Sequence, residues 1–190
     1  MSKLIVSEFV SLNGIMEAPG GEHTHPHTGW TFASHYGDDH YAYKGEELDE
    51  AESLLLGRKT YEGFAAAWPK RDRSDPFTDR INSMPKYVVS STLSDPEWEN
   101  TTVLSGDPIS DVAKLRDEGD GPILVNGSAQ LVHALATADL VDEWRAMVHP
   151  VLIADGLRMF PDPDDMMKLK LADAINYDSG VALLIYTRAD

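Results

Sequence analysis

The chain of 190 residues contains no cysteine, which excludes disulfides, thiolate metal sites and a thiol nucleophile. Basic residues are scarce: 16 lysines and arginines stand against 32 acidic residues, giving a formal net charge of -16 and a pI near 4.6. Nucleic acids and anionic membrane surfaces would be repelled by this charge. We therefore expect neither as a partner.

Long hydrophobic runs are also lacking. The longest, residues 181–186, is far too short to span a bilayer, and the N-terminus lacks the apolar region and cleavage site of a signal peptide. We therefore expect a cytoplasmic protein. A hydrophobic content of 42% and a charged content of 25% are ordinary for a globular protein, and the length suits a single domain over residues 1–190.

Two short apolar runs each stop at a glycine and continue into a helical pattern. The first is followed by Gly57, Arg58 and Lys59, and the second by Gly127 and Ser128, with Ser128 placed to cap its helix. The first amides of a helix lack internal partners and carry partial positive charge, so each junction is a candidate anion site. A dinucleotide would use both if they lie side by side, whereas a purely structural turn is the alternative reading of each.

The remaining pattern predicts a mixed α/β sheet, because helices precede strands in the middle of the chain while strands cluster at its end. Strands are predicted over residues 3–12, 53–56, 86–92, 101–104, 122–125, 142–148, 168–176 and 180–187. Helices are predicted over residues 38–52 and after Gly57, Asp75, Asp107 and Ser128. The acidic run within residues 46–52 is expected to face water.

Residues 15–34 show no period and predict a long loop, of the kind that often forms a lid or a binding loop. His23, His25 and His27 alternate in it, and three histidines can bind zinc. The surrounding glycines and Pro26 favour a solvated loop instead, because they break the regular strand that would aim the three rings one way. Three aromatic residues could line a substrate pocket, with a place in the core as the alternative: Trp30, Phe32 and Trp68.

Five short segments together resemble the dihydrofolate reductase-like superfamily, in the branch that holds the C-terminal reductase domain of bifunctional riboflavin-biosynthesis enzymes. These segments are Ser11–Gly14, Leu55–Glu62, Pro85–Ser91, Leu124–Ser128 and Leu140–Glu143, followed by Pro150 and Gly156. The resemblance covers nearly the whole chain. It implies a three-layer α/β fold whose mixed, mostly parallel sheet has about eight strands flanked by helices.

The resemblance also implies an NADPH site across the strand ends. Gly57, Arg58, Lys59 and Thr60 would hold the adenosine-side phosphates, Ser90 and Ser91 would lie near the 2′-phosphate, and Gly127, Ser128 and Ala129 near the pyrophosphate. Two adjacent cations favour NADPH over NADH, because the extra phosphate needs positive charge where NADH offers a hydroxyl. Homodimers are common in this branch, so a homodimer is expected.

The sequence departs from the family pattern in two places. Asn126 and Ser128 flank Gly127 where the family often has a Gly-Gly pair, and Asn13 stands where many members have Asp. The first loop also lacks the signature of true dihydrofolate reductases. The resemblance as a whole implies an NADPH-dependent reductase that transfers a hydride to a C=N or C=O carbon. Its substrate would be a small heterocyclic molecule, pterin- or pyrimidine-like, or a carbonyl compound.

The proton donor of this reaction would be Glu17 or Asp39, or a water held by one of them. No carboxylate within residues 38–50 stands out by its spacing. That lack motivates the alternative function, a non-catalytic nucleotide-binding or sensor protein on the same fold.

Overall fold

A computed structural model describes residues 1–32, 38–162 and 166–189 of the chain. The strands are β1 (Leu4–Ser11), β2 (Ser53–Gly57), β3 (Lys86–Val89), β4 (Thr101–Leu104), β5 (Ile123–Val125), β6 (Glu143–His149), β7 (Leu169–Asn176) and β8 (Ala182–Arg188). The helices are α1 (Tyr41–Glu50), α2 (Arg58–Ala67), α3 (Pro76–Ser83), α4 (Pro108–Glu118) and α5 (Ala129–Thr137), with a short 3-10 helix, Trp68–Lys70, after α2.

The eight strands form one sheet in the order β4-β3-β2-β5-β1-β6-β8-β7. The five pairings from β4 to β6 are parallel, and β8 pairs antiparallel with both β6 and β7. The predicted mixed, mostly parallel sheet is therefore confirmed.

Helices cover the parallel part of the sheet on both faces, which completes the three layers. On one face, Val112 of α4 and Leu135 of α5 pack in a core with Leu4, Val6 and Val125. On the other, α1, α2 and α3 pack over the opposite side chains of the same strands; this core includes Leu48, Tyr61, Ile81, Ile5 and Leu54. Alternate residues of β1 thus enter different cores, as the period of a strand requires.

Two predicted helix starts are capped as expected. Asp75 accepts a hydrogen bond from the backbone amide of Thr78 at 2.9 Å, and Asp107 accepts one from Ser110 at 2.8 Å. Proline follows each cap at the first helical position, where its missing amide costs nothing. The predicted strand over residues 86–92 is shorter than expected, because the Ser90 hydroxyl accepts from the amides of Thr92 and Leu93 and turns the chain.

The first loop begins beyond β1 and contains no helix or strand through residue 32; its residues 33 and 34 lie outside the described part of the chain. Backbone hydrogen bonds tie it to the segment after β6: Met16 donates to Leu157, and Met159 donates to Gly14. None of the helices in the described ranges has the length and apolar character needed to cross a membrane.

Candidate active site

The two strand-glycine-helix junctions lie side by side at the carboxyl edge of the sheet. Because β5 is inserted between β1 and β2, the end of β5 lies directly beside the end of β2. The Gly57 amide donates to the Ser128 hydroxyl at 2.8 Å, and a Cβ on Gly127 would lie 2.8 Å from Cγ2 of Thr60. The chain order reverses here, and open α/β sheets bind ligands at such a crevice.

Ser128 does not cap α5, contrary to the prediction from its position. Its backbone is left-handed, with φ 64° and ψ 46°, and its hydroxyl accepts from Gly57 instead of from an amide of its own helix. A side chain committed across the crevice cannot also reach back to the first turn. The N-terminus of α5 therefore lacks a side-chain cap among the described residues and keeps the character of an anion site.

The predicted cations stand at the N-terminus of α2. Arg58 is 42% exposed and donates to Glu62 at 2.8 Å, one turn further along the helix, and Lys59 is exposed. Ser90 and Ser91 follow β3, the neighbour of β2; the Ser90 hydroxyl is engaged in its turn, whereas Ser91 is exposed. The assignment of these side chains to a cofactor stays a prediction.

Glu8 is a candidate site residue that sequence reasoning missed. It lies in β1, is 5% exposed, and accepts a hydrogen bond through Oε2 from the Gly127 amide at 2.9 Å. Its Oε1 is also buried, without a hydrogen-bond partner among the described residues. Burial raises the pKa of this carboxyl well above its usual range, against the opposing effects of the Gly127 amide and Lys44. One feature of the sequence could have identified Glu8: it is a charged residue on the same face of the predicted strand as the apolar Leu4, Val6 and Val10.

Glu47 corrects the prediction that the acidic run of residues 46–52 faces water. It is 2% exposed and bonded from three sides: Ser7 Oγ donates to it at 2.6 Å, Lys44 Nζ at 2.9 Å, and Arg145 at 3.3 Å. Arg145 also bonds Glu143 at 2.7 Å, so opposite charges are matched where water is excluded. The physical reason is that α1 turns this one position of the run towards β1 and β6.

The two predicted proton donors both accept hydrogen bonds from backbone amides. Glu17 Oε2 accepts from Leu157 at 3.0 Å and lies in the first loop, whereas Asp39 Oδ2 accepts from Asp178 at 2.8 Å beside the β7–β8 turn. The hydrogen bond to the Ser179 side chain is the largest cause that lowers the pKa of Asp39, and the amide bonds to the ionised form lower it further. Within the described part of the chain, neither carboxylate is hydrogen-bonded to the paired junctions.

The three predicted pocket aromatics do not form one cluster. Trp30 is buried, donates to the Glu17 carbonyl at 2.8 Å, and has its ring 5.4 Å from that of His149. Phe32 is 68% exposed and stacks on Tyr41 with ring centroids 6.4 Å apart. Trp68 packs against Phe77 in the core under α2 and α3. Trp30 and Phe32 thus border the same corner of the molecule, and Trp68 borders another.

Two buried histidines, His40 and His149, lie against each other, and His149 also contacts Trp30 of the first loop. The rings of His40 and His149 are 5.2 Å apart, and burial lowers the pKa of both, that of His149 to about 4. Both rings are therefore neutral at physiological pH.

Two of the three alternating histidines of the first loop lie close together. His25 and His27 have ring centroids 5.6 Å apart and line a cavity of about 390 Å³ with Glu17 and Asp155. Across residues 1–32, 38–162 and 166–189, however, no group of three or more histidines and carboxylates is arranged to hold a metal ion.

The chain is similar in sequence to a known protein family and to known proteins. Residues 2–183 match the RibD C-terminal domain family. The chain belongs to that family. It is 28% identical to the uncharacterized protein YyaP of Bacillus subtilis over 190 residues, covering 97% of this chain and 94% of YyaP.

Solved structures share the fold at low identity. A putative riboflavin biosynthesis protein from Shewanella sp. PV-4 matches with a TM-score of 0.75 and 18% identity, covering 99% of both chains. Dihydrofolate reductase from Enterococcus faecalis, complexed with NADP(H), matches with a TM-score of 0.63 and 15% identity, covering 99% of this chain and 97% of that one. The predicted fold and superfamily are both confirmed.

The two positions that depart from the family pattern both make structural hydrogen bonds. The Asn13 side chain donates to the Ile153 carbonyl at 2.6 Å and accepts from the Ile153 amide at 3.1 Å. The Asn126 side chain donates to the Ser7 carbonyl at 2.7 Å, which joins the end of β5 to β1. An amide suits Asn13 better than a carboxylate would, because only the amide can donate to one backbone group and accept from another.

Proposed function

We propose that this protein is an NADPH-dependent reductase. The observation that carries the proposal is the contact between Gly57 and Ser128, because it sets two helix N-termini together at the topological switch of the sheet. Two adjacent anion sites fit a dinucleotide, because its phosphate groups can occupy both. The NADP(H) complex of the dihydrofolate reductase neighbour supports the same cofactor class.

In this proposal each predicted cofactor residue binds a particular part of NADPH. Gly57 and Thr60 bring the backbone of α2 to the adenosine-side phosphates, while Gly127, Ser128 and Ala129 do the same for the pyrophosphate at α5. Arg58 leaves its partner Glu62 and, with Lys59, pairs with the 2′-phosphate, near Ser90 and Ser91. The Arg58 ion pair is exposed and worth little by itself, so its loss costs little on binding.

NADPH would supply a hydride to a C=N or C=O carbon of a pterin-like, pyrimidine-like or carbonyl substrate. The protein orients the two molecules and excludes water with the first loop. Glu17 and Asp39 remain the proposed proton donors, directly or through a water. Trp30 and Phe32 line the proposed substrate pocket; Trp68 is the weaker member, because it packs in the core under α2 and α3.

Arg58→Ala tests the cofactor assignment. We expect NADPH affinity to fall by about 1.5–3 kcal/mol, the scale of a hydrogen bond to a charged group, and NADH affinity to change much less, because NADH lacks the 2′-phosphate. Titration with each dinucleotide, followed by tryptophan fluorescence, measures both. Equal losses for the two cofactors would remove Arg58 from the 2′-phosphate site, and failure of the unmodified protein to bind either would end the reductase proposal.

Arg73→Ala is a matched control for this experiment. Arg73 is 44% exposed and ion-paired with Asp79 and Glu99, so it resembles Arg58 in exposure and pairing but lies in the turn before α3. Its removal should leave both affinities unchanged. A loss equal to that of Arg58→Ala would indicate a general effect of net charge.

A nucleotide sensor without turnover is the second candidate, favoured by the engagement of both Glu17 and Asp39 with backbone amides. Consumption of NADPH with any member of a panel of pterins, pyrimidines and small carbonyls would exclude it.

We also propose a homodimer in the cytoplasm, with small molecules as its ligands and no nucleic acid partner. β7 is the edge strand of the sheet and exposes Leu171, which supports a dimer through this edge. Light scattering that gives the mass of one chain would contradict it.

A further inference from the structure

Glu8 lies beside the Gly127 junction, in the strand β1 that neighbours β5. Val6 pairs with Val125, the last residue of β5, so Glu8 lies two residues beyond the end of that strand. At this level the neighbouring chain is the turn that leads into α5, and the Gly127 amide donates to Glu8 Oε2 at 2.9 Å. The carboxyl group is therefore joined to the same helix N-terminus that lacks a side-chain cap.

The environment of the second carboxyl oxygen of Glu8, Oε1, is unusual for a charged group. Oε1 is buried and has no hydrogen-bond partner within residues 1–32, 38–162 and 166–189. A buried carboxylate with a single amide bond is poorly compensated, whereas a neutral carboxyl tolerates the same place.

The charges around Glu8 offer it little compensation. From α1, Lys44 and Glu47 act on it with opposite signs, and they are paired with each other at 2.9 Å. From β6 its paired neighbour is Ala146, and the facing group of the α5 turn is the uncharged Gly127 amide. The titratable residue of α5, His133, lies against the Arg158 carbonyl instead, with its Nε2 2.9 Å away.

We propose that Glu8 is a cofactor-binding residue that must carry a proton while the diphosphate of a dinucleotide occupies the N-terminus of α5. The inference rests on the proposed function and adds to it that dinucleotide binding requires protonation of Glu8. Diphosphate brings two negative charges to a helix end already bonded to Glu8, so an ionised carboxylate there would repel it in a region of low dielectric. Binding above the pKa of Glu8 therefore takes one proton from solvent and forms one O–H bond on the carboxylate.

Calorimetric titration with NADPH and with NADH between pH 6.5 and 9.5 tests this linkage. In two buffers of different ionisation enthalpy, proton uptake is measured directly. We expect the dissociation constant of the unmodified protein to rise with pH, at a limiting slope of about tenfold per pH unit, and uptake to approach one proton. Both dinucleotides should behave alike, because they share the diphosphate.

Glu8→Gln keeps an oxygen for the Gly127 amide but cannot ionise. Its affinity should be independent of pH over the same range, without proton uptake. Glu52→Gln is the matched control, because Glu52 also accepts a glycine amide, that of Gly121, but precedes β2 at the opposite edge of the sheet. It should reproduce the pH dependence of the unmodified protein.

Three results would overturn the proposal while leaving the reductase function intact: dinucleotide binding with no dependence on pH, the same dependence in Glu8→Gln, or a dependence with NADPH alone, which would belong to its 2′-phosphate. The first and third results need only the unmodified protein, so they test the proposal even if Glu8→Gln does not fold. Absence of binding to either dinucleotide at every pH overturns both proposals together.

Discussion

The two junctions share one local pattern but differ in charge and backbone. At Gly57 the backbone is extended, with φ -79°, and the next two residues are Arg58 and Lys59. At Gly127 and Ser128 the backbone is left-handed at both residues, and the ionisable group hydrogen-bonded to this junction is Glu8, which is 119 residues away in sequence. A strand-glycine-helix pattern therefore predicts the turn, while its electrostatics depend on which strand lies alongside.

The largest difference between the junctions should appear when each glycine is replaced by alanine. Gly127→Ala adds a Cβ at φ 63°, 2.8 Å from Thr60 Cγ2, whereas Gly57→Ala adds one at an ordinary φ, 3.3 Å from the Ser128 side chain. We expect Gly127→Ala to lower the free energy of unfolding by about 2–4 kcal/mol, from left-handed strain and overpacking together.

Urea denaturation of the two variants checks this difference, with Gly57→Ala expected to cost less than half as much. Adding Thr60→Ala to Gly127→Ala should recover the packing part of the loss and leave the backbone strain. Equal losses at the two glycines would show that the junctions are not distinguished by their backbone.

The second difference is the pH dependence of stability that Glu8 confers on the Gly127 junction. Its folded pKa is raised above the unfolded value, so the native state binds more protons between these two pKa values, and stability falls as pH rises through that window. Relative to the unmodified protein, Glu8→Gln should gain stability above pH 4.5 by up to about 1.4 kcal/mol per pH unit.

Denaturation at several pH values between 5 and 8 measures this gain. His149, whose pKa is lowered to about 4, acts in the opposite direction in this range, because stability rises with pH between its folded and unfolded pKa values. His149 is present in both proteins, so the difference between the two proteins isolates Glu8. A difference that does not change with pH would show that Glu8 has the same pKa in the folded and unfolded states.

The smallest effect should come from the one side chain that joins the junctions. Ser128→Ala removes the acceptor of the Gly57 amide and should cost about 1 kcal/mol of stability, the net value of one hydrogen bond. Thermal denaturation measures this loss, and Ser91→Ala, at an exposed hydroxyl after β3, serves as the control and should be neutral. A neutral Ser128→Ala would mean that water replaces the lost oxygen.

Much of this architecture was predictable because it is encoded locally. Apolar runs, glycines and the Asp-Pro caps predicted the strands and helix starts, usually within a few residues. The errors arise where a residue's partner is distant in sequence. Ser128 occupies a capping position, but its hydrogen-bond partner Gly57 comes from another strand. Glu47 lies in an acidic run that looks solvated, but in the folded protein it is bonded to Ser7 and Arg145.

The sequence by itself determined the order of elements, the two glycine junctions, the cations at 58 and 59, and the family. The tertiary structure decided that β5 enters between β1 and β2, and so brought Gly57 into contact with Ser128 on one side of β5 and Glu8 into contact with Gly127 on the other. The reason is physical: backbone preferences act over a few neighbouring residues, whereas burial and the charge of a carboxyl group depend on partners that only the packed sheet supplies.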